Sequence, residues 1–253
     1  MNHLSHSNLS KSKLNFFRQL QQKKYRLEYK LFLAYGEKLC QEAILSGFQI
    51  EAIIIRTDYV GQVSIPIDVP IYSANFEDFA KLTDQQNPEG LLSVIKIPNW
   101  LPIETLDFNR PSIFLWDIQD PGNLGTIIRT MYWFGVKQLL LTPSCAELTN
   151  PKVVRASMGG IFHIQPFWPE NSKSWINQYA ELIYAASANG NSIQQIKPRK
   201  NILLLGNESH GIPPEIIHNN LVEKVSIPGY AGESLNVGVA GGILLFWMAG
   251  NSL

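Results

Sequence analysis

An α/β fold in two parts is what the chain of 253 residues predicts, on three observations. Short, wholly apolar runs such as Ile113–Trp116 and Ile202–Leu205 recur along it, the pattern of strands buried on both faces. Segments with apolar residues at helical spacing separate them, which in the second half implies a parallel sheet covered by helices. Between Ile97 and Pro102 two prolines interrupt any regular element, so the chain divides there into residues 1–103 and 104–253.

In the first part, residues before about Ser10 are expected to be disordered, and Leu14–Arg26 reads as a basic helix. Glu28–Tyr35 has strand character and Gly36 stops it. Glu37–Ser46, with Leu39, Ala43 and Ile44 on one side, reads as a helix ended by Gly47. Ile50–Ile55 is a β-branched strand, Phe76–Leu82 a short amphipathic helix and Leu91–Ile97 a further strand. In the second part, strands are expected at Ile113–Trp116, Gln138–Leu141, Leu182–Ala185, Ile202–Leu205 and Val225–Ile227. Helices are expected at Leu124–Phe134, with Asn123 as its N-cap, at Val153–Met158 and at Leu235–Met248.

The 21 basic and 21 acidic side chains cancel, but not locally. Up to Cys40 there are eight Lys or Arg (11, 13, 18, 23, 24, 26, 30 and 38) against Glu28 and Glu37, leaving +6 there and −6 beyond. A basic leading edge suits a polyanion, because Lys and Arg displace counterions from phosphates. A solubilising helix fits the charge equally well. Cys40 and Cys145 make neither a zinc spacing nor a disulfide framework, so a reducing cytoplasm and no metal are expected. The start lacks an apolar h-region, and Val237–Ala249 is Gly-rich and too short to span a bilayer, so no membrane attachment is expected.

Three segments place polar residues directly after strands, where open α/β sheets bind ligands. The first runs from Asp117 to Arg129 and includes Pro121, Gly122, Asn123 and Gly125; by itself it reads equally as a capped helix with a surface arginine. The second, Gly206–Gly211, sets Glu208 between two glycines that allow close backbone approach, or is simply a turn before Pro213 and Pro214. The third, Ile227–Ala240, delivers Ser234 and Asn236 to an apolar helix, where either could serve only as a cap. The alternating pattern alone would suit a nicotinamide-dependent oxidoreductase. Neither half carries GxGxxG after its first strand, however, and there is no GxxxxGK[ST] loop.

Together and in this order, Asn123/Gly125/Arg129, Gly206/Glu208/Gly211 and Ile227-Pro228 with Ser234–Ala240 resemble the SpoU (TrmH) branch of the SPOUT RNA methyltransferases. Arg155–Gly160 and Pro166 resemble the family's connecting segment, and the likeness covers about Pro111 to Ala249. The first part, through Arg26–Ala43 and Thr83–Val94, is similar to an auxiliary RNA-binding domain built like ribosomal proteins that recognise kinked RNA.

This resemblance implies a parallel-sheet domain with a C-terminal trefoil knot, a homodimer with its active sites near the interface, and S-adenosylmethionine as cofactor. The implied reaction is 2′-O-ribose methylation of structured RNA. The auxiliary domain favours ribosomal RNA; transfer RNA, or a non-catalytic RNA-binding role on the same scaffold, are the alternatives. Backbone groups of Gly206, Ile227 and Leu235 would cradle the cofactor. Arg129 would act as base or, since a guanidinium stays protonated, as a clamp on the RNA phosphate. Asn123 would support Arg129 or the ribose, Glu208 would organise the loops, and Ser234 and Asn236 would orient cofactor and RNA. The chain departs from the family pattern at Gly229, where Met is common, and at Phe246-Trp247-Met248, where Glu is frequent.

Overall fold

The structure is a computed structural model that describes residues 7–61, 63–66, 68–230 and 234–249. The elements in chain order are β1 (Ser7–Asn8), α1 (Lys11–Gln19), α2 (Lys23–Tyr29), β2 (Leu31–Tyr35), α3 (Glu37–Leu45), β3 (Ile50–Arg56), β4 (Ile71–Ala74), α4 (Phe76–Ala80) and β5 (Leu91–Lys96). They continue with β6 (Ser112–Leu115), α5 (Pro121–Trp133), β7 (Gln138–Leu141), α6 (Pro151–Ala156), β8 (Gln165–Phe167) and α7 (Ser172–Gln178). The last are β9 (Ile183–Ser192), β10 (Ile202–Leu205), α8 (Pro214–Ile217), β11 (Glu223–Ser226) and α9 (Val237–Ala249). They form two compact units. One holds the chain up to Asn99 together with Glu147–Phe162, and the other holds Trp100–Ala146 and the chain from His163 onward.

The first unit is built on a mixed five-stranded sheet in the order β1-β4-β3-β5-β2. β2 and β3 run antiparallel to β5, while β3, β4 and β1 run parallel. All five residues of β2 are buried. Leu14, Phe17 and Leu20 close one face over Leu33, Ile54 and Leu92. Expected disorder ahead of Ser10 fails at Ser7 and Asn8, which pair with Tyr72 and Ser73 on the sheet edge; residues 1–6 lie outside the described residues.

The expected single helix Leu14–Arg26 is two helices, and the break has a clear cause. Arg26 is 2% exposed. Its Nη1 donates to the carbonyls of Leu20 at 3.0 Å and Gln21 at 2.8 Å, which terminates α1. Its Nε and Nη2 grip the carboxylate of Glu147. A charge so deeply buried persists only with such a partner, so Arg26 is a structural cation and no part of the basic leading edge. The segment carrying α6 completes this unit: Arg155 also makes a two-pronged bond to Asp84, at 2.7 and 2.9 Å. Burial works against the charge of Asp84, but the Arg155 guanidinium wins and holds its carboxyl below the ordinary value.

The second unit is an all-parallel six-stranded sheet in the order β11-β9-β10-β6-β7-β8. β6, β7 and β10 are buried along their whole length, as their unbroken apolar runs predict. Phe114, Leu140, Phe167, Ile183 and Leu204 form one core with Ile176 and Ile216 from α7 and α8. Three elements lack a readable period. β4 has four residues, β8 has three with Pro166 at its centre, and α7 is mostly polar. Proline is tolerated in β8 because that strand is a sheet edge. No helix among the described residues is long and apolar enough to cross a membrane.

Candidate active site

The carboxyl ends of β6, β10 and β11 emit the three motif loops. After β6 the chain turns at Asp117, whose φ is +56°, and enters α5. The N-cap is Asp120, not Asn123: its carboxylate accepts the Asn123 amide at 2.7 Å, and Pro121 occupies the first helical position. Asp-Pro is a strong helix start, since a carboxylate caps the free amides and proline needs no acceptor for its nitrogen. Asn123 therefore lies in the first turn with its side-chain amide available.

Both ends of that amide are used. Its Nδ2 donates to Glu208 Oε1 at 2.9 Å, and its Oδ1 accepts from Asn236 Nδ2 at 2.9 Å. Asn236 in turn caps α9, its Oδ1 accepting the amides of Gly238 at 2.9 Å and Val239 at 3.3 Å. One hydrogen-bonded chain, Glu208–Asn123–Asn236, thus joins all three loops. Each amide plane is fixed at both ends, which raises its value as an orienting group.

The loop after β10 closes tightly. Asn207 and Gly211 exchange backbone hydrogen bonds at 3.1 and 2.9 Å, and the Asn207 side chain accepts the amides of Ser209 and His210 while donating to the Asp117 carbonyl at 2.8 Å. A Cβ on Gly206 would lie 2.4 Å from the carbonyl carbon of Gly211. Gly206→Ala is therefore expected to force this loop open and cost about 1–3 kcal/mol. Urea denaturation tests this against Gly229→Ala, whose Cβ would meet no described residue within 4 Å and which should be near neutral.

Glycines also bring α9 onto α5. A Cβ on Gly238 would come within 3.3 Å of Thr126, and one on Gly241 within 3.0 Å of Leu205 and 3.5 Å of Ile127. Farther along α5, Arg129 is exposed and makes no hydrogen bond or ion pair with any described residue. Ser234 and Leu235 are exposed, and Ile227 is half-buried just past β11. Residues 231–233 of the same loop lie outside the described residues.

The structure brings together Asn123, Glu208 and Asn236, and gives Arg129 and Ser234 no partner among the described residues. Sequence reasoning missed Asp120 and Asn207, although Asp-Pro and an asparagine opening a turn were both legible signals. It also missed an excursion of β9. Pairing with β11 jumps from Ala185↔Lys224 to Asn191↔Val225, so residues 186–190 leave the ladder beside the site. A cavity of about 340 Å³ lies at that edge, lined in part by Asn189, Asn191, Lys200, Asn220 and Lys224, and contains none of the motif residues. Among the described residues no cluster of His, Cys, Asp and Glu could hold a metal ion.

Comparison with known proteins agrees with this geometry. Residues 110–246 match the SpoU rRNA Methylase family, and residues 11–93 match the MRM3-like substrate binding domain. The chain is 28% identical over 244 residues to the Bacillus subtilis 23S rRNA (guanosine(2553)-2′-O)-methyltransferase RlmP, covering 94% of this chain and 96% of RlmP. A TrmH-family protein of known structure from Porphyromonas gingivalis is 30% identical, with TM-score 0.83 over 96% of this chain and 98% of that one. The AdoMet-bound rRNA methyltransferase from Sinorhizobium meliloti is 27% identical, with TM-score 0.83 over 98% of this chain and 97% of its own. With more than half its length in the matched region and its motif loops joined by one hydrogen-bonded chain, the protein belongs to the SpoU rRNA methylase family.

Proposed function

We propose that the protein transfers a methyl group from S-adenosylmethionine to a ribose 2′-hydroxyl of ribosomal RNA. The observation that carries this reading is the Glu208–Asn123–Asn236 chain, which fixes three loops at the carboxyl edge of the sheet around a helix whose Arg129 has no partner among the described residues. The names of RlmP and of the AdoMet-bound relative support the cofactor and the ribosomal substrate.

The residues present fit such a cofactor. Gly206, Ile227 and Leu235 offer backbone amides and carbonyls from loops without charged side chains at these positions, a Cβ on Gly229 would meet no described residue within 4 Å, and Leu235 is half exposed. Adenine can be recognised by backbone groups of this kind without a charged partner. When bound, S-adenosylmethionine supplies an electrophilic methyl group on a sulfonium.

The chain's own residues then align the nucleophile. The Arg129 fork grips the phosphate beside the target ribose in two-pronged fashion and holds the 2′-oxygen in line. It is not the base, because a guanidinium does not deprotonate in proteins; the hydroxyl proton leaves to a phosphate oxygen or to solvent. Asn123 and Asn236 keep the loops in register, Glu208 anchors the loop after β10, and Ser234 orients cofactor and RNA.

Four further elements belong to the proposal. The segment from β10 to α9 is read as a trefoil knot, supported by the close return of α9 onto α5 and Leu205. The active form is read as a homodimer, supported by Trp133, Val239, Ile243 and Phe246, which leave an exposed apolar surface on α5 and α9. The first unit is read as an RNA-binding domain of the kind that recognises kinked RNA, supported by the match to a substrate binding domain. Cys40 and Cys145, buried free thiols, support a cytoplasmic location.

Transfer of labelled methyl from S-adenosylmethionine to separate pools of unmodified ribosomal and transfer RNA tests the reading. Label is expected in ribosomal RNA. Label confined to transfer RNA would replace the substrate, and no label with no cofactor binding would leave only a non-catalytic RNA-binding role.

A further inference from the structure

The sequence Lys23-Lys24-Tyr25-Arg26-Leu27-Glu28-Tyr29-Lys30 interleaves cations with aromatic residues, and the structure sorts them cleanly. Arg26 points inward and is consumed by Glu147 and two carbonyls. Lys23, Lys24 and Lys30 remain exposed, as does Arg18 near the end of α1, with Glu28 the acid among them. Tyr25 and Tyr29, one turn apart, stack with ring centroids 6.0 Å apart and planes within 10°. Phe16 of α1 braces Tyr29 at 4.9 Å, and the Lys24 ammonium lies 5.6 Å from the Tyr25 ring. Leu27 and Tyr29 are 46% and 36% exposed. Two mildly apolar, rigidly seated rings among lysines have little purpose in the fold itself, since the core of this unit lies beneath them on Leu14, Phe17 and Leu20.

We infer that the α1–α2 hairpin is a docking surface for unpaired nucleotides of the RNA substrate, with Tyr25 and Tyr29 as its stacking platform. The inference rests on the RNA-methylating reading and names where the substrate is gripped outside the active site. Charge selects the partner: the exposed groups carry four cations to one anion, which favours a polyanion over an ordinary protein face. The rings select its form. Aromatic side chains stack on any splayed base, whereas a duplex hides its base faces and offers only phosphates. The platform is held ready before binding, because Arg26 locks α2 from below and α2 ends at Lys30 in a left-handed conformation with φ 54°. Lys13 is not counted, being committed to Tyr72.

The test titrates the full-length protein with a short fluorescein-labelled RNA, single-stranded or annealed to its complement, at several salt concentrations. Tyr25→Ala/Tyr29→Ala is expected to weaken single-strand binding about tenfold or more. It should leave duplex binding unchanged, and Tyr25→Phe/Tyr29→Phe should retain wild-type affinity. Lys23→Gln/Lys24→Gln is expected to flatten the logarithmic salt dependence by about 0.7 for each phosphate that is no longer neutralised. Should the alanine pair fail to fold, Tyr25→Leu/Tyr29→Leu keeps apolar packing, removes the π-faces and carries the same expectation. Single-strand affinity unaltered by the tyrosine variants overturns the inference and leaves the patch to a protein partner. Methyl transfer by the wild type, measured in parallel, separates the two readings. If it proceeds while affinity is unaltered, only the docking surface falls; if the wild type transfers no methyl, the proposed function fails independently of binding.

Discussion

Arg129→Ala is expected to lower kcat for methyl transfer by about 10²–10³-fold, the usual cost of removing one group that stabilises or positions charge in a transition state. Its stability should stay within about 0.5 kcal/mol of wild type, because Arg129 is exposed and bonds to no described residue. That combination separates a functional arginine from a structural one. Arg129→Lys should recover only part of the activity, since an ammonium keeps the charge but loses the planar fork. Single-turnover rates together with thermal midpoints for the three proteins check this. Full activity in Arg129→Ala would remove the residue from the mechanism.

Arg26→Ala should behave in the opposite way. It leaves the Glu147 carboxylate without its guanidinium and frees the carbonyls of Leu20 and Gln21, which together end α1. Breaking a buried pair on one side costs about 3–5 kcal/mol. Replacing both partners with apolar residues, as in Arg26→Met/Glu147→Leu, should restore most of that, because no buried charge then remains. Urea denaturation followed by circular dichroism reads both. A loss below about 1 kcal/mol in the single variant would mean the pair is dispensable. Neither variant touches the Asn123 chain.

These two arginines show where sequence reading succeeds and where it stops. The buried strands are legible: unbroken apolar runs place β6 and β10 within a residue of their positions, because a strand covered on both faces has no polar alternation to blur it. Motif order also points to three loops that one hydrogen-bonded chain joins. Yet Arg26 and Arg129 look alike in sequence, one in an apparently basic helix and one on an amphipathic helix. Only packing distinguishes the buried cation from the exposed one. Residue type alone suggests Asn123 as a cap, while Asp120, three residues earlier, performs that role and leaves Asn123 to bridge loops 85 and 113 residues distant. No local period encodes contacts over such separations. β4 and β8 escape because four and three residues are too few to carry one.

The proposed division of labour has a physical logic. A rigid parallel sheet supplies loop ends at fixed spacing, and the glycines of α9 let that helix pack onto α5 closely enough for Asn236 to reach Asn123. The site is thereby organised before substrate arrives, so that binding energy is not consumed in ordering the loops. Arg129 has no partner among the described residues, and the proposal assigns it the RNA phosphate.

Nucleoside analysis of the methylated RNA tests the proposed reaction most directly. Ribosomal RNA treated with the protein and S-adenosylmethionine is digested to nucleosides, and the position of the new methyl group is determined by mass spectrometry. The expected product is a 2′-O-methylribose whose rate of formation falls by about 10²–10³-fold when Arg129→Ala replaces the wild type. A methyl group on a base, or 2′-O-methylation undiminished in the variant, would contradict the proposal.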